Sequence, residues 1–226
     1  MLPSPTALDH LNVNGMSNAG RNSDFANAAL VAQVPAHEFY LERPGDLDAD
    51  PDFGAHVAGG ALLGVALQAN IERACYALGG GGYRAPAQRL TDFVAGTDAS
   101  TLPARYSYRP GLTAARVDRL LPSRLTAALR SGARQADRSQ LAGYLTSEAL
   151  IIGAETTTSS PVRIVRGDNR CSVSHDGLYP CAEGAGYAGG IVSSAIEGMS
   201  AAYAILGRAG LLDAAELAER LGTSGA

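Results

Sequence analysis

Apolar positions recur every three to four residues at Leu63, Leu67, Ile71 and Ala74. This predicts a helix over Leu62–Leu78, ended by the glycine run 79–82. A second helix is predicted after Pro122, a residue suited to a first helical turn, with Leu125, Ala128 and Leu129 on one face. Short apolar runs at 11–17, 28–34, 149–152 and 162–165 read as strands. Asn14-Gly15 and Asp168-Asn169 mark turns. Leu178, Tyr179 and Cys181 form a last short strand, and a helix of small residues follows over roughly Tyr187–Leu206. Tyr83–Phe93 reads as a loop or short helix, 97–112 as irregular, and the tail after Leu211 as a short amphipathic helix. The most apolar run, Val57–Ala69, is broken by Gly59, Gly60 and Gly64 and is too short to cross a bilayer. It reads as a buried helix, and no membrane association is expected.

The junction between the last strand and the last helix carries the clearest chemistry. Glu183 is followed by Gly184, Gly186, Gly189 and Gly190. Glycines admit positive φ and close approach of the backbone, and the first amides of a helix have no partner inside it. Such a turn suits a phosphate or a sugar of a cofactor, and a carboxylate just before the helix can accept hydrogen bonds from ribose-like or ribityl hydroxyls. The plainer alternative is a tightly packed turn in which Glu183 is only solvated.

Composition narrows the field further. The net charge of −4 gives no electrostatic case for nucleic acid. Cys75, Cys171 and Cys181 form no CxxC pair, and the histidines lack metal-ligand spacing, so no metal site is expected. A sparse, odd set of cysteines and an N-terminus without a basic and then apolar region suggest reduced thiols, no signal peptide and a cytoplasmic setting. No P-loop, no N-terminal GxGxxG and no GxSxG occurs.

Four segments, in order, carry a family resemblance: VNGMSNAGRNSDFANAALV, GGGGYRAPAQRLTDF, ALIIGAETTTSSPVRI and GLYPCAEGAGYAGGI. Together they resemble the C-terminal part of the uncharacterised FAD-dependent dehydrogenases, flavoproteins with a glutathione-reductase-like FAD domain, over roughly residues 12 to 207. The resemblance implies an α/β (mixed α+β) fold, namely an incomplete FAD/NAD(P)-binding domain with an inserted cap or substrate domain. On it, residues 1–148 form the cap side, 149–210 complete the FAD domain and 211–226 form a helical tail. It implies FAD as cofactor and admits NAD(P)H as electron donor. A small-molecule substrate is implied, and so is a separate N-terminal FAD-binding unit as partner, because the Rossmann fingerprint has no match in these residues.

The cofactor side would be Glu183, Gly184, Ala185, Gly186, Tyr187, Ala188, Gly189 and Gly190, with Glu155 and Thr156. The substrate side would be Asn14 to Ser17, notably Met16, with Arg21, Asn27 and Arg163. Arg21 is either an anion contact or a solvated side chain, and Arg163 either a substrate clamp or a surface arginine. Cys181 reads as a buried small hydrophobe rather than a redox thiol, His175 as exposed, and Tyr83, Gln88 and Asp92 either as pocket-lining or as capping and packing residues. No catalytic acid or base stands out. Two positions depart from the family pattern: Thr157 stands where Arg is usual, and Ala182 where Gly is usual. Ala182 is tolerable only at negative φ. The resemblance thus implies a FAD-dependent oxidoreductase that passes hydride or electrons through the flavin. The alternative is a non-catalytic remnant or binding module, which predicts exposed apolar surface on the chain.

Overall fold

The computed structural model describes residues 1–16, 19–35, 60, 62–139, 141–213 and 215–216. Ser17, the connection Pro44–Asp52, the start of the apolar run at Val57–Gly59, and most of the helical tail lie outside the described residues. The chain has helices and mixed sheet, as expected of an α/β protein. It divides into two compact units, Met1–Thr157 and Thr158–Ala226.

In the first unit, β1 (Leu2–Pro3) pairs antiparallel with β2 (Val13–Asn14). Helix α1 (Leu63–Gly79) follows the expected periodicity and buries Leu67, Ile71, Ala74 and Cys75. Its end is dictated by glycine. A Cβ on Gly79 would sit 1.9 Å from the Arg84 carbonyl oxygen, and Gly80 takes φ 87°. The chain then enters β3 (Ala85–Arg89), where a loop or short helix was expected, before the short helix α2 (Leu90–Ala95). β3 is the centre of a three-stranded sheet, parallel to β4 (Leu112–Ala114) and antiparallel to β5 (Leu150–Ile152). A proline in a central strand is unusual. Pro86 is accommodated because the β5 ladder begins only at Ala87, while the Pro86 carbonyl accepts from Gly153 N–H at 3.0 Å.

Helix α3 (Ser123–Arg138) starts after Pro122 as expected, but its inner face is Leu125, Thr126, Leu129 and Ala133; Ala128 is exposed. Thr126 belongs inside because its hydroxyl donates to the Asp118 carbonyl at 3.0 Å. Asp118 sits in a 3-10 turn, Val117–Arg119, and its carboxylate holds Arg116 and Arg130, each at 2.6 Å. Burial pushes the Asp118 carboxyl up, but the Arg116 hydrogen bonds and the charges of both arginines outweigh it and hold the group below the usual range. The core has two clusters. One gathers α1, β3 and β4 around Leu11, Val13 and Tyr108; the other joins α2 to α3 through Leu90, Phe93 and Leu129. The strand expected at 28–34 is absent: the segment is irregular and largely exposed, and it pairs with no strand among the described residues.

In the second unit, the strand expected at 162–165 is irregular, reduced to an isolated bridge between Arg166 and Ser172, and Leu178–Cys181 forms no strand. Scattered backbone hydrogen bonds, such as Ile164 N–H to the Ala185 carbonyl at 3.1 Å, and side-chain contacts hold this unit together instead. Arg166 and Arg170 both reach Glu197 of helix α4 (Ile191–Arg208), at 2.6 and 3.0 Å. Arg166 also donates to the Pro180 carbonyl at 2.7 Å. Helix α4 begins at Ile191 rather than Tyr187, because Gly186 takes φ 81° and Gly190 is extended. The buried residues of α4 are Ser200, Ala201 and Ala204. Ile191, Val192, Ile196, Met199, Ile205 and Leu206 are exposed.

Candidate functional site

The glycine turn of the second unit is built around Gly186. A Cβ there would lie 2.2 Å from the Val162 carbonyl oxygen, so only glycine lets the two segments meet. Arg163 Nε donates to the Gly186 carbonyl at 2.9 Å, and the Tyr187 hydroxyl donates to the Ile164 carbonyl at 3.0 Å. The Arg163 and Arg166 guanidinium carbons lie 4.9 and 3.7 Å from the centre of the Tyr187 ring, a cation–π arrangement. Tyr187 and Arg163 therefore lock this turn from within the unit. Ala185 is buried, Ala188 half-buried, and Gly184, Gly189 and Gly190 exposed.

Glu183 opens a 3-10 turn, Glu183–Ala185, and is half-buried. Among the described residues its carboxylate meets no hydrogen-bond donor or ion-pair partner. A Cβ added at Gly184 would meet nothing within 4 Å, and one at Gly189 only Glu183 Cγ at 4.0 Å. The backbone here is open to a ligand, in contrast to the closed packing at Gly186. At the head of α4, Gly190 N–H donates to Ser193 Oγ at 3.1 Å. The preceding residue corrects one expectation: Ala182 takes φ 58° and ψ −159°, a region open in practice only to glycine. The chain keeps the glycine geometry without the glycine.

In the first unit one of the expected residues, Thr156, belongs to a buried polar network. Asn12 is 0% and Glu72 1% exposed. Asn12 Oδ1 accepts from Thr156 N–H at 2.9 Å, and its Nδ2 donates to Thr157 Oγ1 at 2.6 Å. Glu72 Oε1 accepts from Thr156 Oγ1 at 2.6 Å, and its other oxygen accepts from the Thr6 hydroxyl. Gln68 Nε2 reaches the Thr156 carbonyl at 2.8 Å. The segment after β5 is thus tied to Asn12, Gln68 and Glu72, with Thr157 accepting from Asn12. Just outside this network Asn14 Nδ2 donates to Glu155 Oε1 at 3.3 Å, both residues exposed.

Asn27 donates to the Met16 carbonyl at 2.9 Å. Arg21 is exposed, with φ 49°. His175 is exposed as expected, and Cys181 is half-buried. Asp92 accepts from Ser100 N–H at 3.0 Å and Gln88 Nε2 donates to the Thr97 carbonyl at 2.8 Å, which are local structural roles. Sequence reasoning missed Glu72 and Asn12. The one available signal was an acid at the edge of an apolar helical stripe, four residues after Gln68. Among the described residues there is no group of His, Cys, Asp or Glu able to hold a metal, and no helix long and apolar enough to cross a membrane.

The chain belongs to the family described as FAD-dependent protein, C-terminal domain-like, whose model matches residues 1–158. The match ends within one residue of the first compact unit, Met1–Thr157. The chain is also 35% identical over 194 residues to an uncharacterized protein of Clostridium beijerinckii (strain ATCC 51743 / NCIMB 8052). That similarity covers 85% of this chain and 33% of the relative, so the chain spans about a third of the relative's length. The family makes this a FAD-related protein. The open backbone at Gly184 and Gly189 and the unpartnered Glu183 carboxylate fit the sugar and ribityl part of such a cofactor.

Proposed function

We propose that this chain is the C-terminal portion of a FAD-dependent oxidoreductase. The observation that carries the reading is the family match over residues 1–158. When bound, the flavin supplies transfer of hydride or electrons. Glu183 accepts hydrogen bonds from the ribityl hydroxyls, and Gly184 and Gly189 let the backbone approach the cofactor. Glu155 lies on the cofactor side and Asn14 on the substrate side, with Thr156 held on Asn12 and Glu72. The ADP half is held by a unit outside these 226 residues. The exposed apolar row of Ile191, Ile196 and Met199 on α4 is a surface on which another element packs, and it is expected of the binding-module reading as well. A NAD(P)H donor gains no support from the matched family.

The test adds FAD to the purified chain, removes the excess, and records the visible flavin band. It is repeated with the remainder of the Clostridium beijerinckii relative supplied in trans. Retained, protein-shifted flavin that is lost in Glu183→Ala is the expected outcome. No retained flavin in either arrangement sinks the reading.

Two departures favour a non-catalytic binding module as a second reading. Ala182 sits at φ 58° where the resemblance leads one to expect Gly, and Thr157 offers no guanidinium to clamp an anion where the resemblance leads one to expect Arg. Flavin retention without turnover of any donor would select it.

A further inference from the structure

The first unit contains a cavity of about 290 Å³ that neither the glycine turn nor the buried Glu72 network uses. Its volume is at the lower end for small-molecule sites, which are mostly apolar with few polar groups. Leu90, Leu120, Leu129, Ile151 and Ile152 form its walls. The irregular segment Phe25–Leu30 crosses one side, tied down by an ion pair between Asp24 and Arg105, with Arg105 also 5.9 Å from the Phe25 ring.

Polar groups at the cavity select for ligand charge. Arg105 is already neutralised by Asp24. Glu148 has no ion pair among the described residues, and Glu155 faces only the neutral Asn14 amide. Among the described lining residues the two carboxylates outnumber the one cation not already paired, the N-terminal ammonium of Met1, so an anion entering here meets a net negative surround. Tyr144 lines the same space, and its hydroxyl has no hydrogen-bond partner among the described residues. Burial pushes its phenol up, so it stays protonated and donates.

We propose that this cavity binds an uncharged carbonyl compound with an aromatic or branched aliphatic body, its apolar part against Leu129 and Ile151 and its carbonyl oxygen on the Tyr144 hydroxyl. Binding needs no flavin, so the inference stands apart from the oxidoreductase reading, and either can fail alone.

The probe is prodan, a neutral naphthalene ketone whose emission shifts to the blue in apolar surroundings, titrated into the full chain without FAD. The expected result is a saturable blue shift, reversed by acetylnaphthalene at concentrations at least about tenfold lower than naphthoate requires. Ala29→Trp, on the exposed crossing segment, fills the cavity and abolishes the shift. Tyr144→Phe weakens binding about fivefold, the size of one neutral hydrogen bond. Ile196→Ser, on the bare side of α4, leaves it unchanged. No saturable shift, equal displacement by naphthoate, or a signal lost in Ile196→Ser and kept in Ala29→Trp overturns the proposal. If Ala29→Trp does not fold, the Tyr144→Phe titration decides.

Discussion

The Thr156 hydroxyl donates to the Glu72 carboxylate at 2.6 Å across 84 residues of sequence, fixing the segment after β5 to the middle of α1. Glu72 is 1% exposed and receives two hydroxyl donors, from Thr156 and Thr6. Glu72→Ala strips both hydroxyls of their acceptor and costs about 2–3 kcal/mol, the range for hydrogen bonds to a charged group. Glu72→Gln keeps one acceptor and costs about half of that. Urea unfolding midpoints of the two variants measure the difference; equal, near-zero losses would show that the network carries no stability.

Ala182 tests the backbone in the opposite direction. At φ 58° and ψ −159° the alanine stores strain of about 1–3 kcal/mol. Ala182→Gly relieves it, offset by about 1 kcal/mol of extra chain entropy at most. The thermal midpoint of the second unit is expected to rise. A fall would mean that this conformation is not strained.

Acid stability depends on Asp118. Its folded-state pKa is lowered, so the unfolded chain binds the proton more readily. The stabilisation is present above the unfolded carboxyl value, about 3.9, and is lost as pH falls through the lower folded value. Asp118→Asn should flatten the acid limb of the stability curve below about pH 4. It should also cost about 3 kcal/mol at neutral pH, because Arg116 and Arg130 lose a buried partner. Unfolding followed across pH in both proteins checks both effects.

The thiols should separate by reactivity. Burial pushes the Cys75 thiol up to about 12, with Glu72 adding to the rise and the Ala154 backbone opposing it. Only the thiolate is nucleophilic. Under mildly alkaline native conditions iodoacetamide should label Cys181 first, the half-buried one, and reach Cys75 only after unfolding. Mass spectrometry of the labelled peptides reads the order directly, and early labelling of Cys75 would contradict its burial.

The bare side of α4 makes a prediction about association. Ile196→Ser with Met199→Ser removes exposed apolar surface and should not lower the melting temperature, since neither side chain is buried. Concentration-dependent light scattering should fall in the double variant. A large loss of stability would mean that these side chains are covered in solution.

Local pattern was enough for the elements whose signal is local. The apolar repeat from Leu63 to Ala74 specified α1, Pro122 marked the start of α3, and the compact run 149–152 specified β5. The glycine cluster around Glu183 likewise marked the turn before α4, because glycine's access to positive φ is a property of the residue itself. Long-range pairing was beyond such reading. Ala85–Arg89 holds a proline and two polar residues, yet it is the central strand, because β4 and β5 arrive on its two sides from 112–114 and 150–152. The apolar run 28–34 has strand composition but pairs with no strand among the described residues and is irregular. Only the tertiary structure assigned Glu72 to the Thr156 hydroxyl, put Ala182 at a glycine's φ, and turned the larger apolar residues of α4 outward. A residue's conformational range is set by its own chemistry, but burial and hydrogen-bond partners are set by residues far away in the chain.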